Sequence, residues 1–294
     1  MDRVTAINPG ELRRLLSAHG LRPSRALGQH FLADANTARR IVTLAGVGPD
    51  DHVLEVGPGV GSLTVALAGA GARVTALELD RHLLPVLDDA LDRAGVASSV
   101  QVVQGDALTV DFNALLRGER HVMVSNLPYN VAVPIVMRML GEVPSVQRML
   151  VMVQREVGDR LAADAGTKDY GSVSVRVGFY ASARRVGLVP PTVFLPPPKV
   201  DSALVELVRR PRPPVDVPSV DDLFALVRAG FSQRRKMLRR VLRTELGDRT
   251  DAVLVAAGID PAARAETLDL ATWATLARAV AATDPAGAAP EGPG

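Results

Sequence analysis

The chain contains no cysteine, which excludes disulfides, zinc-thiolate and iron–sulfur centres and a thiol nucleophile, and fits a reducing compartment. Aromatic side chains are few: one tryptophan, three tyrosines and six phenylalanines in 294 residues leave no stacking platform for long single strands of nucleic acid. Neither sign of charge prevails, since 34 basic and 32 acidic residues give a formal net charge of +2, so where the charge sits matters more than its total. No run of about eighteen apolar residues, the length that spans a bilayer, occurs anywhere. Residues 1–20 carry Asp2, Glu11, Arg13 and Arg14 in place of an apolar signal segment. These absences predict a cytoplasmic protein.

What is present suits a folded globule with a substantial core: 47% of residues are hydrophobic and 22% charged. The length predicts one large domain with a smaller appendage. From residue 53 to residue 208, short apolar runs alternate with longer helical patterns, as in a parallel sheet covered by crossover helices. Strands are predicted at residues 53–56, 73–77, 100–103, 121–125, 148–153, 172–179 and 203–208. Pro190, Pro191, Pro196, Pro197 and Pro198 make the segment between the last two an extended, stiff loop suited to walling a cleft. A second proline cluster, Pro211, Pro213, Pro214 and Pro218, precedes helical patterns. The domains expected are residues 1–212, a helical domain at 213–283 and a mobile tail at 284–294.

Leu54-Glu55-Val56-Gly57-Pro58-Gly59-Val60-Gly61-Ser62 ends one strand and opens a helix. Its glycines let the backbone turn sharply and approach a ligand with no side chain between them. Glu78 ends the next strand, about twenty residues on, where a carboxylate meets ribose hydroxyls in dinucleotide folds. Gly105-Asp106-Ala107 ends a third and offers an acceptor for an exocyclic amine. Three successive strand ends thus suit an adenosyl ligand, without separating a nicotinamide cofactor from S-adenosylmethionine.

The fourth strand end carries Asn126-Leu127-Pro128-Tyr129. Adenine N6 is a poor nucleophile because its lone pair is delocalised into the ring. The Asn126 side-chain oxygen and the Leu127 carbonyl, both accepting from N6–H, would return electron density to nitrogen and aim it at a methyl donor without a strong base. Pro128 fixes the turn and Tyr129 is placed to stack on the base.

With these motifs in this order, the chain resembles the bacterial small-subunit (16S) ribosomal RNA adenine N6,N6-dimethyltransferases, the enzymes associated with kasugamycin sensitivity. The shared blocks also include Leu27-Gly28-Gln29-His30-Phe31-Leu32, Val151-Met152-Val153-Gln154-Arg155-Glu156, Tyr170-Gly171-Ser172, Phe194-Leu195-Pro196-Pro197-Pro198-Lys199 and Phe231-Ser232-Gln233-Arg234-Arg235-Lys236. The resemblance implies a Rossmann-like methyltransferase with a mostly parallel seven-stranded sheet and a small C-terminal all-α domain. It implies S-adenosylmethionine as cofactor, no metal, and small-subunit RNA within a 30S assembly particle as substrate of a monomer. By the same resemblance Gln29, His30, Leu32, Gly57, Gly59, Glu78, Asp106, Ala107 and Asn126 would hold the cofactor. Asn126, Leu127, Pro128 and Tyr129 would hold the target adenine, with Phe194 stacking against it. His30 departs from the family, which often has asparagine there.

The densest charge lies in residues 231–244, where Arg234, Arg235, Lys236, Arg239, Arg240 and Arg243 occur with no acid among them. Drawn as one helix, the last five share an arc opposite Phe231, Met237, Leu238, Val241 and Leu242, which predicts an amphipathic helix with a phosphate-binding face. Arg184, Arg185, Arg209, Arg210 and Arg212 are candidates to extend that track. The rival readings are a macrolide-resistance type 23S adenine methylase, which shares the pocket motifs, and a non-catalytic ribosome-assembly factor.

Overall fold

The computed structural model describes residues 7–23, 29–117 and 120–283. The expected tail and the Leu27 and Gly28 of the first family block lie outside the described residues. The strands are β1 (Phe31–Leu32), β2 (His52–Val56), β3 (Arg73–Glu78), β4 (Val100–Gln104), β5 (His121–Asn126), β6 (Val146–Gln154), β7 (Ala181–Val189), β8 (Phe194–Leu195) and β9 (Ser202–Arg209). The α-helices are α1 (Pro9–Ala18), α2 (Ala35–Ala45), α3 (Ser62–Gly69), α4 (Leu84–Ala94), α5 (Phe112–Leu116), α6 (Ala132–Glu142), α7 (Arg155–Leu161), α8 (Ser172–Tyr180), α9 (Val220–Phe231), α10 (Leu238–Leu246), α11 (Thr250–Ala256) and α12 (Leu270–Ala282). No described helix is long and apolar enough to cross a membrane.

The chain divides into two compact units, one of residues 1–162 with 181–209 and one of residues 163–180 with 210–294. The first is built on the seven-stranded, mostly parallel sheet expected from the sequence, in the order β4-β3-β2-β5-β6-β9-β7. The five strands from β4 to β6 run parallel, and β9 and β7 are antiparallel to their neighbours. Parallel strands are covered on both faces, which is why Val53 and Leu54 of β2 and Val151 and Val153 of β6 are all fully buried. Ile41 of α2, Leu63 and Leu67 of α3 and Leu87 and Leu91 of α4 share one core cluster with Val74, Val124 and Met152 of the sheet. Since β2 lies between β3 and β5, the chain reverses its direction of travel across the sheet at β2, and the crevice at the carboxyl ends there is where such folds bind ligands.

The structure corrects the sixth predicted strand. Residues 172–179 form helix α8, and the strand is Ala181–Val189. Val173, Val175 and Val177 alternate as in a strand. The Gly171 N–H nevertheless donates to the Ser174 hydroxyl at 3.0 Å, and Val175 and Phe179, one turn apart, bury against Leu223 and Trp273 in the core of the second unit. Strand β7 gave little apolar signal because it is an edge strand paired only with β9 and carries Arg184 and Arg185. Residues 163–180 therefore belong with the helical unit, which differs from the continuous boundary expected at residue 212.

Three of the arginines proposed to extend a phosphate track are committed within the protein. Arg184 pairs with Glu206 at 2.6 Å and Arg185 with Asp159. The Arg209 guanidinium donates to the carbonyls of Met139, Leu140, Val143 and Val146, and so satisfies the end of α6.

Candidate active site

A cavity of about 510 Å³ opens at the carboxyl ends of β2, β3 and β5. It brings together Gln29, His30, Leu32, Gly57, Gly59 and Glu78 of the expected cofactor set with Asn126, Leu127, Pro128 and Tyr129 of the expected target set. Gly57, Gly59 and Gly61 take φ of +73°, +58° and +86°, the left-handed region that other residues enter at a cost. At Gly59 space is short as well, since a Cβ there would sit 2.9 Å from the Phe31 ring. Phe31 is buried in the core and packs against the glycine loop.

Glu78 is buried at the end of β3. Its carboxylate accepts from the Gly59 N–H at 3.0 Å and from the Asp80 N–H at 2.9 Å, which ties the glycine loop to the second strand end. Burial raises its pKa, opposed by those backbone bonds. Asp80 lines the cavity and accepts from Gln29 Nε2 at 3.2 Å, fixing that amide at the rim. Leu79 also lines the cavity and is 66% exposed, an apolar surface suited to a purine face.

Glu55 lies beneath the loop on β2, fully buried, and lines the cavity with Ser62. Burial pushes its carboxyl from 4.5 to about 8; the Thr64 hydroxyl beside it opposes the rise and the Glu78 carboxylate adds to it. Glu55 Oε2 and Ser62 Oγ are buried and have no hydrogen-bond partner among the described residues. The titration has a consequence for stability. Folded Glu55 keeps its proton up to pH near 8, whereas the unfolded carboxyl loses it at the ordinary value, so stability falls as pH rises between the two, by at most about 1.4 kcal/mol per pH unit. Glu55→Gln should flatten that part of the profile. Urea midpoints at pH 5.5 and 7.5 check it, and identical pH dependence in the two proteins would contradict it.

Asn126 ends β5, and its Nδ2 donates to the His30 carbonyl at 3.2 Å. That bond occupies the donor side of the amide and leaves the Oδ1 side for a ligand. The Leu127 N–H donates to Met152 O at 3.0 Å, while no donor among the described residues reaches the Leu127 carbonyl. The Tyr129 hydroxyl and the Ser202 hydroxyl share a hydrogen bond of 2.8 Å, and burial raises the phenol pKa.

Three expected residues lie outside the cavity lining. Asp106 and Ala107 are in the turn after β4, where the Asp106 side chain accepts from the Leu108 N–H at 2.8 Å. That turn is clamped by Arg138 of α6, which donates to Ala107 O at 2.9 Å and Val110 O at 2.7 Å. Arg138 went unnoticed in the sequence, where no motif marks it. Phe194 is 3% exposed and pairs with Leu32 across the β1–β8 ribbon, so its side chain is packed within the protein.

In the second unit the basic helix expected at residues 231–244 is broken. Helix α9 ends at Phe231 and α10 begins at Leu238, with Arg234, Arg235 and Lys236 in the turn between. The break is held by the Leu238 N–H, which donates to Ala263 O at 2.7 Å while the Leu238 side chain is fully buried. Arg234 pairs with Glu266 at 2.8 Å and is committed to the fold. Arg235, Lys236, Arg239, Arg240 and Arg243 remain exposed, and Arg243 lies 3.8 Å from Asp248.

The sheet order and the glycine loop are common to many nucleotide-binding folds. Here the same cavity also carries Asn126, Leu127, Pro128 and Tyr129, and the chain is an S-adenosylmethionine-dependent methyltransferase of Rossmann-like fold. Residues 21–282 match the ribosomal RNA adenine dimethylase family, and the chain belongs to it. Among curated relatives, the ribosomal RNA small subunit methyltransferase A of Rhodococcus opacus is 48% identical over 94% of this chain and 95% of its own. The proteins of that name from Cutibacterium acnes and Geobacillus kaustophilus are 47% and 43% identical, over 96% and 93% of this chain and 96% of each of theirs. Among solved structures, the 23S rRNA methyltransferase ErmE is 29% identical with a TM-score of 0.65, covering 85% of this chain and 99% of its own. A dimethyladenosine transferase from Plasmodium falciparum shares the fold with a TM-score of 0.68 at 23% identity, over 84% of this chain and 96% of its own.

Proposed function

We propose that the protein transfers methyl groups from S-adenosylmethionine to N6 of two adjacent adenosines in small-subunit ribosomal RNA, giving N6,N6-dimethyladenosine, on a 30S assembly particle. The observation that carries the reading is the Asn126 amide, held by the His30 carbonyl with its oxygen left for the cavity that also contains Glu78 and the glycine loop. Identity of 43–48% to proteins named for the small subunit, over nearly their whole length, favours that RNA over the large-subunit substrate named for ErmE.

Glu78 would take the ribose hydroxyls, Gln29, His30, Leu32, Gly57 and Gly59 the methionine end, and Asp106 with Ala107 the adenine rim. The cofactor supplies an activated methyl group on a sulfonium centre. The Asn126 oxygen and the Leu127 carbonyl would accept hydrogen bonds from the N6 amine, hold it in line and raise its electron density. Tyr129 would carry the base on its ring. Transfer forms the N–C bond as the S–C bond breaks, and the displaced proton leaves to water. Proximity and electrostatics supply most of the acceleration. Labelled cofactor offered to undermethylated small subunits and, in parallel, to large subunits, followed by nucleoside mapping, should place the label in two neighbouring adenosines of the small-subunit RNA. Label confined to large-subunit RNA, or no transfer, would overturn the reading.

Arg235, Lys236, Arg239, Arg240 and Arg243 supply the phosphate contacts in this reading. Reversing Arg235 and Arg239 to glutamate should weaken RNA binding and reduce the magnitude of the log K against log salt slope by about two. An unchanged slope would count against this surface.

A further inference from the structure

Parallel strands covered on both faces carry near-continuous apolar runs, and β2, β3 and β5 keep that rule only in their later halves. Leu54, Leu77 and Met123 are buried on one face of the sheet. Earlier on the same strands, and on the same face by the period of two, stand His52 on β2, Arg73 and Thr75 on β3 and His121 on β5. The register sets His52 beside Arg73 and Thr75 beside Gln101 of β4. The His52 and His121 rings meet edge to face, with centroids 5.6 Å apart. A polar row therefore crosses four adjacent strands at their amino ends.

Helix α5 stops at this row. It has five residues and is capped by Arg117 at φ +50°, the one residue other than glycine with positive φ among the described residues. Where the helix ends, a cavity of about 400 Å³ opens, with Leu116 and Arg117 on its wall and the strand row on its floor. It lies about 15–20 Å along the strands from the methyl-transfer cavity, at five to six residues per strand. The ionisable groups that line it are of one sign: Arg73, Arg117, His52 and His121, with no carboxylate among the described lining residues. Neither guanidinium has an ion pair or hydrogen bond with a described residue, whereas Arg138, Arg184, Arg185 and Arg209 are all engaged. His121 is 5% exposed, so the cavity reaches down to a buried imidazole.

We propose that this cavity is a second binding site, one that takes a phosphate group, from either a free phosphate ester or the backbone of bound RNA. A guanidinium is always charged and its fork of donors matches phosphate oxygens. Two guanidinium groups, two imidazoles and the Thr75 hydroxyl offer more donors than the two oxygens of a carboxylate accept, and suit the oxygens of a phosphate. A concave site lined by one sign of charge also concentrates the opposite ion. The inference is independent of the methyl-transfer reading, because the two cavities share no residue.

The test uses the full chain saturated with cofactor and isotope-labelled in histidine. At constant pH and ionic strength, inorganic phosphate and ribose 5-phosphate should shift the His52 and His121 resonances saturably. Arg73→Gln with Arg117→Gln should weaken that binding at least about tenfold. Cofactor Kd should stay within about twofold, as expected of a distant site. The salt dependence of binding to undermethylated small subunits separates the two sources. A log K against log salt slope smaller by about one to two in the double variant assigns the site to RNA backbone. An unchanged slope with the resonance shifts present assigns it to a free phosphate ester. Resonances unmoved at about 50 mM phosphate, together with an unchanged slope, would overturn the proposal. Shifts that persist at the same affinity in the double variant would overturn it as well.

Discussion

Asn126→Ala should lower kcat for methyl transfer about 10²- to 10³-fold. The magnitude is that of removing one hydrogen-bonding group that stabilises developing charge in a water-poor site. The amide sits at a strand end, its Nδ2 spent on the His30 carbonyl and its oxygen available. Alanine removes that oxygen while the parallel pairing of β5 with β6 keeps the backbone, and with it the Leu127 carbonyl, where it was. Quench-flow measurement of a single turnover separates the chemical step from RNA release. Turnover equal to the parent would show that N6 is activated elsewhere.

Glu78→Ala acts on the other half of the cavity. Each oxygen of this carboxylate already accepts one backbone N–H and retains a lone pair for a ribose hydroxyl. Hydrogen bonds to charged groups contribute about 1.5–3 kcal/mol each, so loss of two amounts to at least a hundredfold in cofactor Kd. Alanine also strands the Gly59 and Asp80 N–H groups, which should lower the melting temperature. Glu78→Gln keeps one acceptor and should fall between the two in affinity. Equilibrium dialysis checks the order. An unchanged Kd for the alanine variant would remove Glu78 from the cofactor site.

Much of the site was legible because a parallel sheet places successive strand ends along one edge. The order of Gly57, Glu78, Asp106 and Asn126 in sequence was therefore a statement about geometry. What depends on distant partners was not legible. The Arg138 clamp on the Asp106 turn, the Gln29–Asp80 bond and the contact of His30 with Pro196 join residues 28 to 166 positions apart. A period of two in α8 misled because the run is short enough to satisfy either periodicity, and packing around Trp273 decided for the helix. The basic segment misled differently. A helical wheel assumes one continuous helix, whereas burial of Leu238 and its bond to Ala263 restart the helix there and direct Arg234 to Glu266.

The proposed chemistry requires that the Asn126 oxygen and the Leu127 carbonyl together hold the amine that is methylated. The most direct test is a structure of the protein with the demethylated cofactor product and a small-subunit RNA fragment containing the target adenosines. N6 should lie about 2.7–3.2 Å from both oxygens, with the base on the Tyr129 ring and the amine facing the cofactor sulfur. A base bound elsewhere, with the Asn126 oxygen engaged only by protein, would contradict it.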